Sequence, residues 1–173
     1  MSTCRQGSAI ALSGRFHMGF GNRKAVTILI AEDDDGHAEL ICDNLLESGI
    51  NNTMIRFRNG QEALDFFFDT STPGPSSTPR RVPGQAYLLL LDIRMPRVGG
   101  VEVLRQIKAD PQLKHMPVIM LTTTDDPREI QNCYALGCSC YVTKPVDYQQ
   151  FSEMLVRLGL FLMVVQVPSL NGV

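Results

Sequence analysis

The chain has 173 residues, with 16 lysines and arginines against 18 aspartates and glutamates and a formal charge of −2. That length makes one domain the default, and 44% hydrophobic with 20% charged residues excludes a wholly disordered chain. The slightly acidic balance leaves no electrostatic footprint for nucleic acid, and no run of about 18 uncharged apolar residues predicts a membrane span. The first residues lack the layout of a signal peptide. Five scattered cysteines, an odd count, argue for a reducing cytoplasm over a secreted disulfide framework.

Residues 1–24 carry no sustained period and are punctuated by glycines, so they are read as a flexible tail. Val26–Ala31 is a short β-branched run, apolar on both faces, as a central parallel strand requires. Asp34 or Asp35 can cap the following helix, with Leu40, Ile41, Leu45 and Leu46 on one face. Thr53–Arg58 alternates as a strand. Gly60–Phe68 reads as a helix with Ala63, Leu64, Phe67 and Phe68 inward, and the Phe66–Phe68 run is core before it is a binding surface.

Thr70–Gln85 breaks every period with four prolines and is expected to be a surface insertion. Beyond it the alternation resumes. Tyr87–Leu91 is the most apolar strand, and a helix from Gly99–Gly100 to Asp110 buries Val103, Leu104 and Ile107. Pro117–Thr122 is the fourth strand, Asp125–Leu136 the fourth helix, and Ser139–Thr143 the fifth strand. Asp147 caps a last helix running to about Phe161 or beyond. Five successive βα units predict a five-stranded parallel sheet covered by five helices, a flavodoxin-like doubly wound α/β fold.

Ligands of such folds bind outside the carboxyl ends of the strands. Here those ends hold Glu32, Asp33 and Asp34, then Asp92, then Thr122–Thr124, then Lys144–Pro145. At about 5 Å and an effective dielectric of 20, each pair among Glu32, Asp33 and Asp92 repels by about 3 kcal/mol. A neutralised carboxyl or a divalent cation resolves that repulsion, and hard oxygen ligands suit Mg2+. Asp92 beside such a cation is a candidate nucleophile for a phosphoryl group. Lys144 and Thr122 would then meet the product as point charge and hydroxyl donor. Taken singly, each element reads equally well as a helix cap or a solvated side chain; their coincidence at successive strand ends does not.

The segments ILIAEDD (28–34), LLLLDIRMPRVGG (88–100), VIMLTTT (118–124) and YVTKPV (141–146) resemble the receiver domains of two-component response regulators over roughly residues 25–162. The resemblance implies that Asp92 accepts the phosphoryl group and that Glu32, Asp33, Asp92 and the Arg94 main-chain carbonyl hold Mg2+. It makes Thr122 and Tyr141 a switch pair, with Lys144 before a usually cis Pro145, and leaves Asp34 a cap. Phosphorylation would then alter the face of helix four, strand five and helix five. A narrower similarity, in GQEALDFFF (60–68), LTTTDDPREI (121–130), the Pro-rich insertion and VVQVP (164–168), points to stand-alone regulators paired with bacterial phytochromes. The implied partners are a sensor histidine kinase and a downstream protein, with no direct nucleic acid and no membrane. Cys138 and Cys140 depart from the small residues the family favours there.

The last helix is apolar on more than one face, so Leu158, Phe161, Leu162 and Val165 are assigned to a homodimer or partner interface, with residues 163–173 an apolar extension. Cys133, Cys138 and Cys140 read as buried small hydrophobes rather than a zinc set. His17, His37 and His115 receive no catalytic part. Two other classes of function compete with the phosphoacceptor. A Mg2+-dependent phosphatase with an aspartate nucleophile usually carries a second aspartate two residues on, where Arg94 stands and cannot donate a proton. A non-phosphorylated adaptor would be expected to have lost Asp92, Lys144 or the acidic pair, and it retains all of them.

Overall fold

In a computed structural model that describes residues 26–68, 80–164 and 166–168, five parallel strands form one sheet in the order β2-β1-β3-β4-β5. The strands are β1 (Val26–Ala31), β2 (Met54–Phe57), β3 (Ala86–Leu91), β4 (Val118–Thr122) and β5 (Cys140–Thr143). The helices are α1 (Asp35–Glu47), α2 (Gly60–Phe68), α3 (Gly100–Ala109), α4 (Pro127–Ala135) and α5 (Tyr148–Val164). The chain changes direction across the sheet between β1 and β3, the topological switch point of a doubly wound fold. The predicted flavodoxin-like α/β class is the observed one. The expected tail, residues 70–79 of the insertion, and Val165 lie outside the described residues.

Side-chain alternation along the central strands divides the core in two. Leu29, Ala31, Leu89 and Leu91 face α2, α3 and α4, where Val103, Leu104 and Ile107 are fully buried. Ile28, Ile30, Leu88 and Leu90 face α1 and α5, meeting Ile41, Leu45, Phe151 and Leu155. β1, β3 and β4 are therefore buried on both faces, which explains their uninterrupted apolar runs. β5, at the sheet edge, has no fully buried residue.

In α2 the inward aromatic residues are Phe66 and Phe67, while Phe68 is only half-buried. Phe66 lies between Phe57 and Tyr87, with ring centroids 5.3 and 5.5 Å away, so the helix turns that residue to the sheet. The fourth helix starts at Pro127 rather than Asp125, and Asp126 caps it, accepting from the Arg128 amide at 2.9 Å. The end of the expected insertion returns to the core, with the Arg81 amide on the Phe66 carbonyl and the Val82 amide on the Tyr87 hydroxyl.

α5 lies along α1. A Cβ on Gly159 would fall 2.6 Å from the Ser48 Cβ, a separation available only to glycine. The inner face of α5 is Phe151, Leu155 and Leu158, with Leu162 half-buried behind them. Leu158 is therefore core, which corrects its assignment to an outer interface, while Leu162 keeps part of its surface exposed. Leu160, Phe161, Met163 and Val164 remain exposed. Among the described residues no helix is long and apolar enough to cross a membrane.

Leu104, at 0% exposure between α3 and the sheet, offers the cleanest measure of this core. Leu104→Ala is expected to lower stability by about 2–5 kcal/mol, read by urea unfolding.

Candidate functional site

Strand register assembles the site. Ala31 pairs with Leu91 and Thr122 with Thr143, so Glu32, Asp92 and Lys144, each one residue past its strand, emerge on one rim. Backbone bonds hold that rim: the Asp92 amide donates to Ala31, the Glu32 amide to Phe57, and the Lys144 amide to the Thr122 carbonyl at 2.7 Å. Asp33 follows on the β1–α1 turn. Carboxylate oxygens of Glu32, Asp33 and Asp92 lie within 4.8 Å of one another. Asp34 accepts from the His37 amide at 2.7 Å, which lowers its carboxyl below the usual range and confirms it as the cap of α1.

Lys144 bridges two of the carboxylates. Its buried ammonium donates to Glu32 Oε2 at 2.5 Å and to Asp92 Oδ2 at 2.9 Å. Burial raises the Glu32 carboxyl above the ordinary carboxylate value; the attraction of Lys144 opposes this, and the neighbouring Asp92 charge adds to it. The second Asp92 oxygen, Oδ1, accepts from the backbone amides of Ile93 at 2.7 Å and Arg94 at 3.4 Å. Asp92 itself is buried, whereas Asp33 opens to solvent. A hard, anionic oxygen set with one open side fits a Mg2+ or Mn2+ ion.

The Thr122 hydroxyl is buried without a hydrogen-bond partner among the described residues. A buried hydroxyl at the end of β4 that the core leaves unpaired is free to donate to a ligand oxygen. Tyr141 donates to the Thr124 carbonyl at 3.0 Å, and burial, aided by the Glu129 charge, pushes its phenol up to about 12. The phenol therefore stays protonated and a donor throughout the physiological range. Pro145 is half-buried, and the expected cis bond before it is absent: every described peptide bond is trans.

Glycine packing sets the floor of the site. A Cβ on Gly100 would meet the Asp92 carbonyl oxygen at 2.0 Å, so the first turn of α3 rests directly on the backbone of the central carboxylate. A Cβ on neighbouring Gly99 meets nothing closer than 3.4 Å.

Three contacts were not foreseen from the sequence. The His37 imidazole, given no role there, stands 3.6 Å from Glu32 Oε1 and packs edge-on against Phe151. The exposed Arg94 side chain reaches Glu129 on α4 at 3.4 Å. Arg56 on β2 buries its guanidinium under the β1–α1 turn. A cation in the otherwise apolar strand MIRF was the available signal for this last contact. The three free thiols among the described residues, Cys133, Cys138 and Cys140, are buried or half-buried, and burial pushes Cys138 up to about 11. They play no part at the rim.

The family model of the response regulator receiver domain matches residues 28–156. The chain belongs to that family. Response regulator Rcp1 of Synechocystis is 32% identical over 143 residues, which is 82% of this chain and 92% of Rcp1. A response regulator receiver domain from Rhodospirillum rubrum superposes with a TM-score of 0.76 at 44% identity, covering 84% of this chain and 99% of that one. The phosphorylated cyanobacterial phytochrome response regulator RcpA superposes at 0.70 with 30% identity, covering 83% and 98%. This receiver is thus related to regulators paired with phytochromes, as the narrower similarity implied.

The glycine floor yields a paired expectation. Gly100→Ala is expected to lose about 1–3 kcal/mol through overpacking against Asp92. Gly99→Ser, at a cap position with extended backbone, should be near neutral in the same thermal unfolding measurement.

Proposed function

We propose that this receiver is a signalling phosphoacceptor in which Asp92 takes a phosphoryl group from a phosphohistidine of a sensor kinase. The observation that carries the reading is the coincidence, on one rim, of three carboxylates within 4.8 Å, the buried Lys144 ammonium and the unpartnered Thr122 hydroxyl. One Asp92 oxygen forms the bond to phosphorus as the bond to the donor imidazole nitrogen breaks. The Ile93 and Arg94 amides steady the carboxylate while this happens. Glu32, Asp33, Asp92 and the Arg94 main-chain carbonyl would hold Mg2+, which offsets the charge of the carboxylates and of the transferring group. A Mn2+-bound form of the relative Rcp1, 30% identical with a TM-score of 0.70 and coverage of 82% of this chain and 98% of that one, supports this choice of cation.

The product would carry about 1.5–2 negative charges, if an acyl phosphate behaves like a phosphoester. Lys144 and Thr122 would bond its oxygens, a role that the buried ammonium on Asp92 and the unpaired hydroxyl support. Charge-assisted hydrogen bonds contribute about 1.5–3 kcal/mol each, and reversing a 1:99 equilibrium needs about 5.5 kcal/mol. That difference corresponds to about two to four such bonds. As Thr122 turns toward the phosphoryl group, Tyr141 exchanges its bond to Thr124 for an inward position, and the α4-β5-α5 face changes.

The similarity to phytochrome regulators supports a bacterial phytochrome as the kinase and the cytoplasm as the place of action. The exposed Leu160, Phe161, Met163 and Val164 support a homodimer or a downstream protein contact on the outer face of α5.

Intact mass after incubation with Mg2+ and acetyl phosphate tests the central claim. One hydroxylamine-labile phosphoryl adduct is expected on the wild type and none on Asp92→Asn; an adduct that persists in the variant would move the acceptor elsewhere. Phe161→Glu is expected to shift the protein from dimer to monomer in analytical ultracentrifugation. A wild type that sediments as a monomer at every concentration would remove the dimer.

A further inference from the structure

We propose that Arg56 is a positioning residue for the divalent-cation site, a buried clamp on the turn from which Glu32 and Asp33 project. The inference rests on the Mg2+-dependent reading of that site. β2 is an edge strand, where a charged side chain would ordinarily point to solvent. Arg56 instead keeps its side chain 8% exposed, and its guanidinium faces the β1–α1 turn.

Every arm of the fork is engaged. Nε and Nη2 both donate to the Glu32 carbonyl, at 3.1 and 3.0 Å, and Nη2 also donates to the Asp33 carbonyl at 3.1 Å. Nη1 donates to Asp35 Oδ1 at 2.6 Å. The same Asp35 oxygen takes the half-exposed Arg58 at 2.7 Å, and the Arg56 bond is the first reason that its carboxyl sits below the usual range. Two consecutive carbonyls are thus tied to one rigid planar group. They pin the peptide planes on both sides of Asp33, the backbone that carries two of the three carboxylates.

Charge and geometry predict opposite outcomes here. Considered only as a charge, Arg56 repels a cation, and deleting it would tighten cation binding. As a clamp, it holds two ligands in place, and deleting it would let the turn relax and loosen binding. A lysine keeps the charge but offers donors from a single nitrogen, which cannot span acceptors on three residues.

The test is a titration of the full chain with Mn2+, free ion being counted by electron paramagnetic resonance, followed by competition with Mg2+. Thermal unfolding by circular dichroism establishes that each variant is folded. Arg56→Met and Arg56→Lys are expected to weaken Mn2+ binding by about tenfold, the lower end of the range for groups that orient metal ligands. Arg58→Met, which removes a charge but touches neither carbonyl, should bind as tightly as wild type or slightly tighter. Unchanged or tighter binding by folded Arg56→Met overturns the clamp. Should that variant fail to fold, wild-type affinity in the conservative Arg56→Lys overturns it equally. A wild type that binds neither ion overturns the functional reading and the clamp with it, whereas a wild type that binds no better than the Arg56 variants overturns the clamp alone.

Discussion

A single buried ammonium holds the rim of this molecule together. Lys144 enters from the end of β5 and meets Glu32 from β1 and Asp92 from β3, three strands that are not all neighbours in the sheet. Without a cation among them the carboxylates would repel, and burial already pushes Glu32 toward its neutral form. Removing one member of such a group strands the charges of the others in a low-dielectric site. The acidic cluster and the lysine are therefore one structural unit, in which charge balance is a condition of folding as well as of chemistry.

The rest of the architecture serves to bring those residues to one level. Parallel strands in aligned register end together, and the switch of direction between β1 and β3 opens the crevice that the acidic residues line. Backbone packing then removes slack from below, since the start of α3 presses on the Asp92 carbonyl at a distance only Gly100 permits. From the side, the Arg56 fork holds the β1–α1 turn. Floor, wall and counter-charge come from three different elements, so the geometry belongs to the whole domain.

Much of this was legible in the sequence because it follows from periodicity and from a topological rule. Apolar runs marked the strands, and the residues at or just past their ends, Glu32, Asp92, Thr122 and Lys144, were the ones to examine. Long-range side-chain partnerships were not legible. Arg56 in a strand reads as a solvent-facing edge residue, and only the fold places the Glu32 carbonyl above it. Arg94 and Glu129 are separated by 35 positions, and nothing local ties them. His37 was set aside as scattered, although one helical turn brings it beside Glu32. The outer face of α5 was misjudged at Leu158 for a related reason: an all-round apolar helix does not announce which stripe meets α1.

The contrast between β3 and β5 has a consequence for how tightly each part of the sheet is closed. Every residue of β3 is buried, while β5 is half-covered and bordered by a neighbour on one side only. Local opening draws on elements with few buried apolar contacts, so backbone amides should be slowest to exchange with solvent under Asp92 and progressively faster toward Tyr141. An event at the stiffest point of the sheet would then be read at its loosest edge. Fluctuation is concentrated where a small difference in free energy moves the largest number of atoms.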